Sequence, residues 1–174
     1  FYGADSFKRL AVFLKKTPSA TAAAAEFAIV GFRIDNTLSE HGAVSRGICA
    51  TDAAGRLASI VETHGITAGE VGPGKKFPGE TIVSLNCWGF TSALFAGLDA
   101  QFREFLAARG TEPKSEFYLP GAVSTMIDRR QATVSVLPTE SSWFGVTYRE
   151  DKPRVQASLA ELVRAGLYPE KLWT

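Results

Sequence analysis

Asn36, Glu40, His41 and Arg46 fall within the stretch VGFRIDNTLSEHGAVSRGIC, residues 30–49, beside a conspicuous Gly42. The stretch reads as a buried strand, a polar turn and a second strand, and few common architectures gather such groups in a loop between strands. Asn86 stands in another apolar run, VSLNCWGF. If buried there, its amide must find hydrogen-bonding partners, which requires either a polar function or a bridge to a neighbouring strand. Gly69–Lys76, GEVGPGKK, comes close to the phosphate-binding pattern G-x-x-x-x-G-K-[ST] but fails on its chemistry. Lys76 occupies the position where a magnesium-binding hydroxyl is needed, and Pro78 prevents a following helix from presenting its amides to a phosphate. The segment reads instead as a mobile basic loop, able to close over an anionic substrate. His41 and His64 have no Cys or His at metal-ligand spacing and read as exposed loop histidines. No Ser lies in a G-x-S-x-G elbow, the usual setting of a hydrolase nucleophile on an α/β sheet.

The elements that must position these residues follow from periodicity. Phe7, Leu10, Ala11 and Leu14 have helical spacing, so residues 5–16 read as a helix with Asp5 at its N-cap. Residues 17–25, TPSATAAAA, read as a connection. Glu26 to Ile34, EFAIVGFRI, is apolar nearly throughout, as in a strand buried on both faces. Segments 45–51 and 57–63, joined by DAAG with Gly55 closing the turn, read as a β-hairpin. Residues 64–79 read as a loop and Glu80 to Phe90 as a further strand. Thr91 is placed to cap a helix whose Leu94, Phe95, Leu98, Phe102, Phe105 and Leu106 form one stripe, ending at Gly110. Pro120 starts another helix carrying Val123, Met126 and Ile127, and segment 132–137 reads as a strand. Asp151 is placed to cap a last helix with Val155, Leu159, Leu162 and Val163 turned inward and Gly166 at its end. Helices alternating with strands, plus an inserted hairpin, predict an α/β fold with a mixed, mostly parallel sheet flanked by helices.

Composition narrows the class. The 174 residues suffice for one domain, read here as residues 1–174, and 45% hydrophobic with 21% charged residues is an ordinary globular balance. A net charge of +1 gives no electrostatic reason to expect nucleic acid or a membrane surface as partner. No run approaches the roughly 20 apolar residues of a membrane span, and no signal-peptide pattern is present. Cys49 and Cys87, in apolar strand-like surroundings, read as buried thiols in a reducing compartment, which predicts a cytoplasmic protein. The chain begins at Phe1 rather than Met, so a piece of a longer polypeptide is expected.

The stretch at 30–49 resembles the middle of the sugar-phosphate nucleotidyltransferase domain, in particular a bacterial branch of that family. The segment FYGADSF at 1–7 is similar to the one that follows the family's acidic metal-binding loop. HGAVSRG, SIVET and VSLNCWGF are similar to its acceptor-binding segments, EFYLP at 116–120 to one of its helix starts, and VLPTESSWFGVTYREDKP to the segment that carries a second metal ligand. The resemblance implies a partial Rossmann-like fold in which Gly42, Glu62 and Asn86 orient a sugar and Arg46 is a candidate for phosphate contact, with Arg33 a further one. It implies a structural role for Glu116, since Pro120 and Gly121 stand where the family often has Thr and Asp. It also implies magnesium, with Thr147 and Asp151 as this chain's candidate ligands and Glu150 nearby. The departure is at Gly145 and Thr147, where relatives carry an Asp or Asn, because magnesium prefers hard anionic oxygen.

The family's Gly-rich nucleotide loop and its acidic loop precede the position matching Phe1. The chain therefore reads as the acceptor-binding portion of an enzyme that takes a nucleoside triphosphate and a sugar phosphate, and the isolated chain is expected to be inactive. The strand at 26–34, lacking neighbours, is expected to pair with the missing N-terminal segment, with another chain or with a second copy. The alternative is a non-catalytic sugar-nucleotide-binding or regulatory domain of the same fold.

Overall fold

An almost unbroken apolar run needs a strand on either side and cover on both faces, and EFAIVGFR has all of these. The computed structural model describes residues 1–17, 24–39, 42–146 and 149–171. The expected connection at 17–25 lies largely outside them, as do Glu40, His41 and Thr147. Contacts divide the chain into two units, Tyr2–Ser142 and Phe1 with Trp143–Thr174.

In the larger unit the order is α1 (Ala4–Lys16), β1 (Ala25–Arg33), β2 (Val44–Thr51), β3 (Leu57–Ile66), β4 (Ile82–Gly89), α2 (Leu94–Arg109), α3 (Leu119–Asp128) and β5 (Ala132–Thr139). One sheet runs β3-β2-β4-β1-β5. Only β1 and β5 are parallel. The pairs β1/β4, β2/β3 and β2/β4 are antiparallel, so the sheet is mixed but not mostly parallel. The cause is the hairpin. β2 and β3 turn back on each other through Asp52–Arg56, and β4 then returns between β2 and β1 without the helical crossover that a parallel neighbour needs. Asp52 Oδ1 accepts the Ala54 and Arg56 backbone N–H groups at 2.8 and 2.9 Å, which fixes the hairpin turn.

β1 is not short of partners. β4 and β5 flank it, and Phe27, Ala28, Ile29, Val30 and Phe32 are all 0% exposed. The expectation of an uncovered strand is thereby corrected, since this chain itself supplies both neighbours. Each of the larger side chains gains about 1.5–3 kcal/mol from such burial. On one face Phe27 and Ile29 join Leu57, Leu94, Val123, Met126, Ala132 and Val134 in a core beneath α2 and α3. On the other face α1 lays Leu10 and Leu14 against Gly89, which lies opposite Ala28 on β1. The hairpin tip also reaches the free edge of β5. Arg56 bridges Ser135, and the Val136 N–H donates to the Gly55 carbonyl at 3.1 Å, so the sheet bends round until its two ends meet at this point.

The helix starts depart from their expected caps. Gly3, not Asp5, precedes α1, and Asp5 lies in its first turn. Thr91 does not cap α2; its carbonyl accepts from the Leu94 N–H in a turn that precedes the helix. The expected α2 stripe is only partly covered. Phe95, Phe102 and Leu106 are 70%, 44% and 49% exposed, while Leu94 and Gln101 are buried. Gln101 is satisfied there because its Nε2 donates to the Ala122 carbonyl on α3 at 3.1 Å. Phe102 and Phe105 instead group with Phe117, at ring separations of 5.4–6.1 Å.

In the smaller unit, α4 (Asp151–Arg164) follows Glu150 at the N-cap position, so Asp151 is a first-turn residue rather than the cap. None of its residues is fully buried, and Leu159 is 39% exposed, so the expected inward stripe is at best half covered. Phe1 stacks on Phe144 at 4.3 Å, and Tyr168 meets Phe1 edge-on at 5.8 Å.

Candidate functional site

Register brings polar groups and small residues into one row across four strands. Glu62 on β3 lies opposite Gly47 on β2, Gly47 opposite Ser84 on β4, and Ser84 opposite Gly31 on β1. Directly opposed residues share a face, and this is the face that carries Ile29 and Ile60 of the core. Gly31 and Gly47 are both points where the row is too close-packed for a side chain. A Cβ at Gly47 would lie 2.8 Å from Ile60 Cγ2, 3.3 Å from Ser84 Cβ and 3.6 Å from Glu62 Oε2. The Glu62 carboxylate therefore extends over the β2 backbone toward Ser84, while Glu62 itself remains exposed.

Asn86 stands at an irregularity in β4. Ser84 opposes Gly31 and Trp88 opposes Ile29, so β4 carries two extra residues between these pairs. Asn86 has φ +59°, a left-handed conformation that Asn tolerates better than most residues. It is exposed rather than buried in the apolar run, so the ladder-bridging role is not the one it takes. Its backbone N–H donates to Ser84 Oγ at 3.2 Å, and its side-chain Oδ1 accepts from Trp88 Nε1 at 3.3 Å. That leaves the Asn86 NH₂ group without an acceptor among the described residues, oriented by the indole and able to donate to a ligand.

Arg46 is on the opposite face from Gly47, being its neighbour along β2. It is 8% exposed rather than a surface residue. Nε donates to Thr37 Oγ1 at 3.1 Å, Nη1 to the Ser45 carbonyl at 2.7 Å, and Nη2 to the Thr37 carbonyl. Burial pushes its pKa down, and the Glu62 carboxylate opposes that shift. These contacts fasten the turn at Ile34–Thr37 to β2. Gly42 follows in the same connection, with φ +154° and, its chain neighbours aside, no atom of the described residues within 4 Å of where a Cβ would stand. Arg33, on the Gly31 side of β1, is held by Asp35 at 2.7 Å.

The structure thus gathers Glu62, Ser84 and Asn86 along one face and places Arg46 behind it. Ser84 carried no sequence signal of its own; only register reveals it. Ser45 and His64 form a second pair on this side, with Ser45 Oγ 2.9 Å from His64 Nδ1. His64 was read from the sequence as an exposed loop histidine; it is exposed, but it lies within β3.

The basic loop at 69–76 is folded on itself. Thr67 and Glu70 form a capping box, Lys76 pairs with Glu70 at 3.3 Å, and Val71 bridges Phe77. Cys49 is half-buried, with desolvation pushing its thiol pKa up to about 12, and burial also raises that of the buried Cys87, as expected of inert sulfur.

In the smaller unit, a Cβ on Gly145 would lie 3.1 Å from the Trp143 ring, so the indole packs closely against the glycine. Thr147 lies outside the described residues. Asp151 is a first-turn residue of α4. Among the described residues there is no group of three or more His, Cys, Asp or Glu that could hold a metal ion. No described helix is long and apolar enough to cross a membrane. No family model matches the chain, and none of the curated proteins searched matches it.

Proposed function

We propose that this chain is the acceptor-binding portion of a cytoplasmic nucleotidyltransferase of the sugar-phosphate family. The single observation that carries the reading is the row from Glu62 across Gly47 and Ser84, with the oriented Asn86 amide beside it. A carboxylate that accepts and an amide that donates suit the hydroxyls of a sugar. The motif resemblance at 30–49, 59–63 and 83–90 supports the same assignment.

In the proposed reaction an oxygen of the acceptor's phosphate attacks the α-phosphorus of a nucleoside triphosphate. The α–β phosphoanhydride bond breaks, and pyrophosphate leaves with the bonding pair. Such transfers depend on positioning and charge neutralisation. Glu62 and Asn86 hold the sugar so that its phosphate points along the line of attack, and Gly42 leaves open space for the sugar's approach. Arg46 contributes by fixing the turn before Gly42, a positioning role behind the site. Magnesium belongs to the proposal for the complete enzyme, with Asp151 and Thr147 as candidate ligands whose oxygens would help hold it beside the substrate phosphates. The nucleotide-binding segment, whether of the same polypeptide or another chain, is the implied partner, and self-association is a further part of the proposal.

The test is pyrophosphate release by the protein from its source, with magnesium, over a panel of nucleoside triphosphates and sugar phosphates. Release with at least one pair is expected, with Glu62→Gln and Asn86→Ala each lowering kcat/KM for the acceptor about 10- to 100-fold, the worth of one or two hydrogen bonds to a charged or oriented group. Release with no pair would overturn the enzyme reading and favour a non-catalytic binding domain.

A further inference from the structure

β3 carries one more residue than β2 between two matched positions. Arg46 lies opposite Thr63 and Val44 opposite Ile66, so His64 and Gly65 together face the single residue Ser45. This is a β-bulge, and Gly65 adopts φ +74°, a left-handed conformation in which a side chain would be strained. Bulges redirect side chains, and this one brings His64 Nδ1 to 2.9 Å from Ser45 Oγ. Ser45 and Gly47 alternate along β2, so His64 stands on the face that carries Glu62. The two are separated by two residues of strand, about 7 Å, which is close to the span of one sugar ring with its substituents. His64 is exposed, and its Nε2 has no hydrogen-bond partner among the described residues.

We propose that His64, held by Ser45, receives the phosphate group of the acceptor; the assignment rests on the acceptor-binding reading above and fixes the acceptor's orientation. With the Ser45 hydroxyl donating to Nδ1, the neutral ring carries its proton on Nε2 and presents a donor. The protonated ring presents a donor as well. Glu62 accepts from hydroxyls and repels an anion, so a sugar phosphate lies with its hydroxyl edge on Glu62 and Asn86 and its phosphate at the far end of the ring, on His64. The ligand class is therefore a phosphorylated sugar read at both ends, rather than a free sugar or a free phosphate.

The experiment is calorimetric titration of the 174-residue chain with glucose 1-phosphate and mannose 1-phosphate, with the matching free hexoses, and with inorganic phosphate. His64→Ala, His64→Gln and Glu62→Gln are compared, each checked for folding by circular dichroism. The expected result is that H64A weakens a hexose 1-phosphate about tenfold, the worth of one charge-assisted hydrogen bond, while leaving the free hexose unchanged. H64Q restores part of the loss because its amide can still donate, and E62Q weakens the hexose and its phosphate alike. Equal weakening of both ligands by H64A, or no weakening of either, overturns the His64 assignment and leaves the acceptor reading standing. Inorganic phosphate binding as tightly as the sugar phosphate also overturns it, as a free-anion site. No binding of either sugar phosphate by the unaltered chain overturns the acceptor reading together with the assignment.

Discussion

Replacing Arg46 with Met is expected to destabilise the fold by about 3 kcal/mol. The figure follows from what the guanidinium leaves behind. Thr37 is 1% exposed, and both its hydroxyl and its carbonyl accept from Arg46. A buried acceptor stripped of its donor costs about 1–3 kcal/mol. The Thr37 hydroxyl can still donate to the Ile34 carbonyl at 2.9 Å, so the carbonyl bears most of the loss. The Ser45 carbonyl belongs to an exposed residue and can turn to water, which makes its share small. Against the loss stands the relief of no longer burying a charge, which is why the total stays at about 3 kcal/mol rather than rising to the sum of its charged hydrogen bonds. For a chain of this size that is a drop in Tm of roughly 6–12 °C. Urea unfolding followed by circular dichroism measures it, and Thr37→Val completes a double-mutant cycle with an expected coupling above about 1 kcal/mol. Arg46→Lys keeps the charge but not the fork, so it should recover less than half of the loss. A stability within about 0.5 kcal/mol of the unaltered chain for R46M would refute the fastening role and return Arg46 to the list of ligand-binding residues.

Gly47→Ala places a methyl group 2.8 Å from Ile60 Cγ2; Ile60 must shift, at about 1–3 kcal/mol in urea unfolding, and an unchanged stability would count against this close packing. For Cys49, the pKa rises from 9.0 to about 12 in the folded chain. The sign then follows: above pH 9 the unfolded chain releases this proton and the folded chain retains it, so stability declines between about pH 9 and 12. Cys49→Ala should flatten that decline, and an unchanged alkaline profile in the variant would count against a desolvated thiol.

The sequence made β1 legible because EFAIVGFR has only one physical home, between two strands and under cover on both faces. The turn DAAG and the run after Pro120 were legible for similar local reasons: a side chain that closes a turn, and a ring that starts a helix. Pairing direction was not legible. Apolar content shows that a strand is buried but not which way its neighbour runs, and here the hairpin made all but one pairing antiparallel. The α2 stripe misled because Phe95, Phe102 and Leu106 satisfy helical spacing, whereas burial goes to Leu94 and the hydrogen-bonded Gln101.

At the site the division is sharper. Glu62 and Asn86 could be singled out as residue types, but their relation passes through Gly47 and Ser84, and strand register cannot be read from a single strand. Arg46 shows the same principle in reverse. Its neighbour Gly47 faces the row, so a strand's alternation alone sends Arg46 to the other side. His64 needed still more, since a one-residue bulge turns it toward Ser45. The residues that could bind a ligand here are therefore set by two irregularities, one in β3 and one in β4, that break the period on which sequence reading depends. A sheet of perfect alternation would place Glu62 on this face but would have no reason to hold an asparagine at φ +59° or a histidine beside a left-handed glycine. Such local departures cost conformational energy, and both fall on strands that flank the same stretch of β2, so the one-ligand proposal asks a single binding event to account for both.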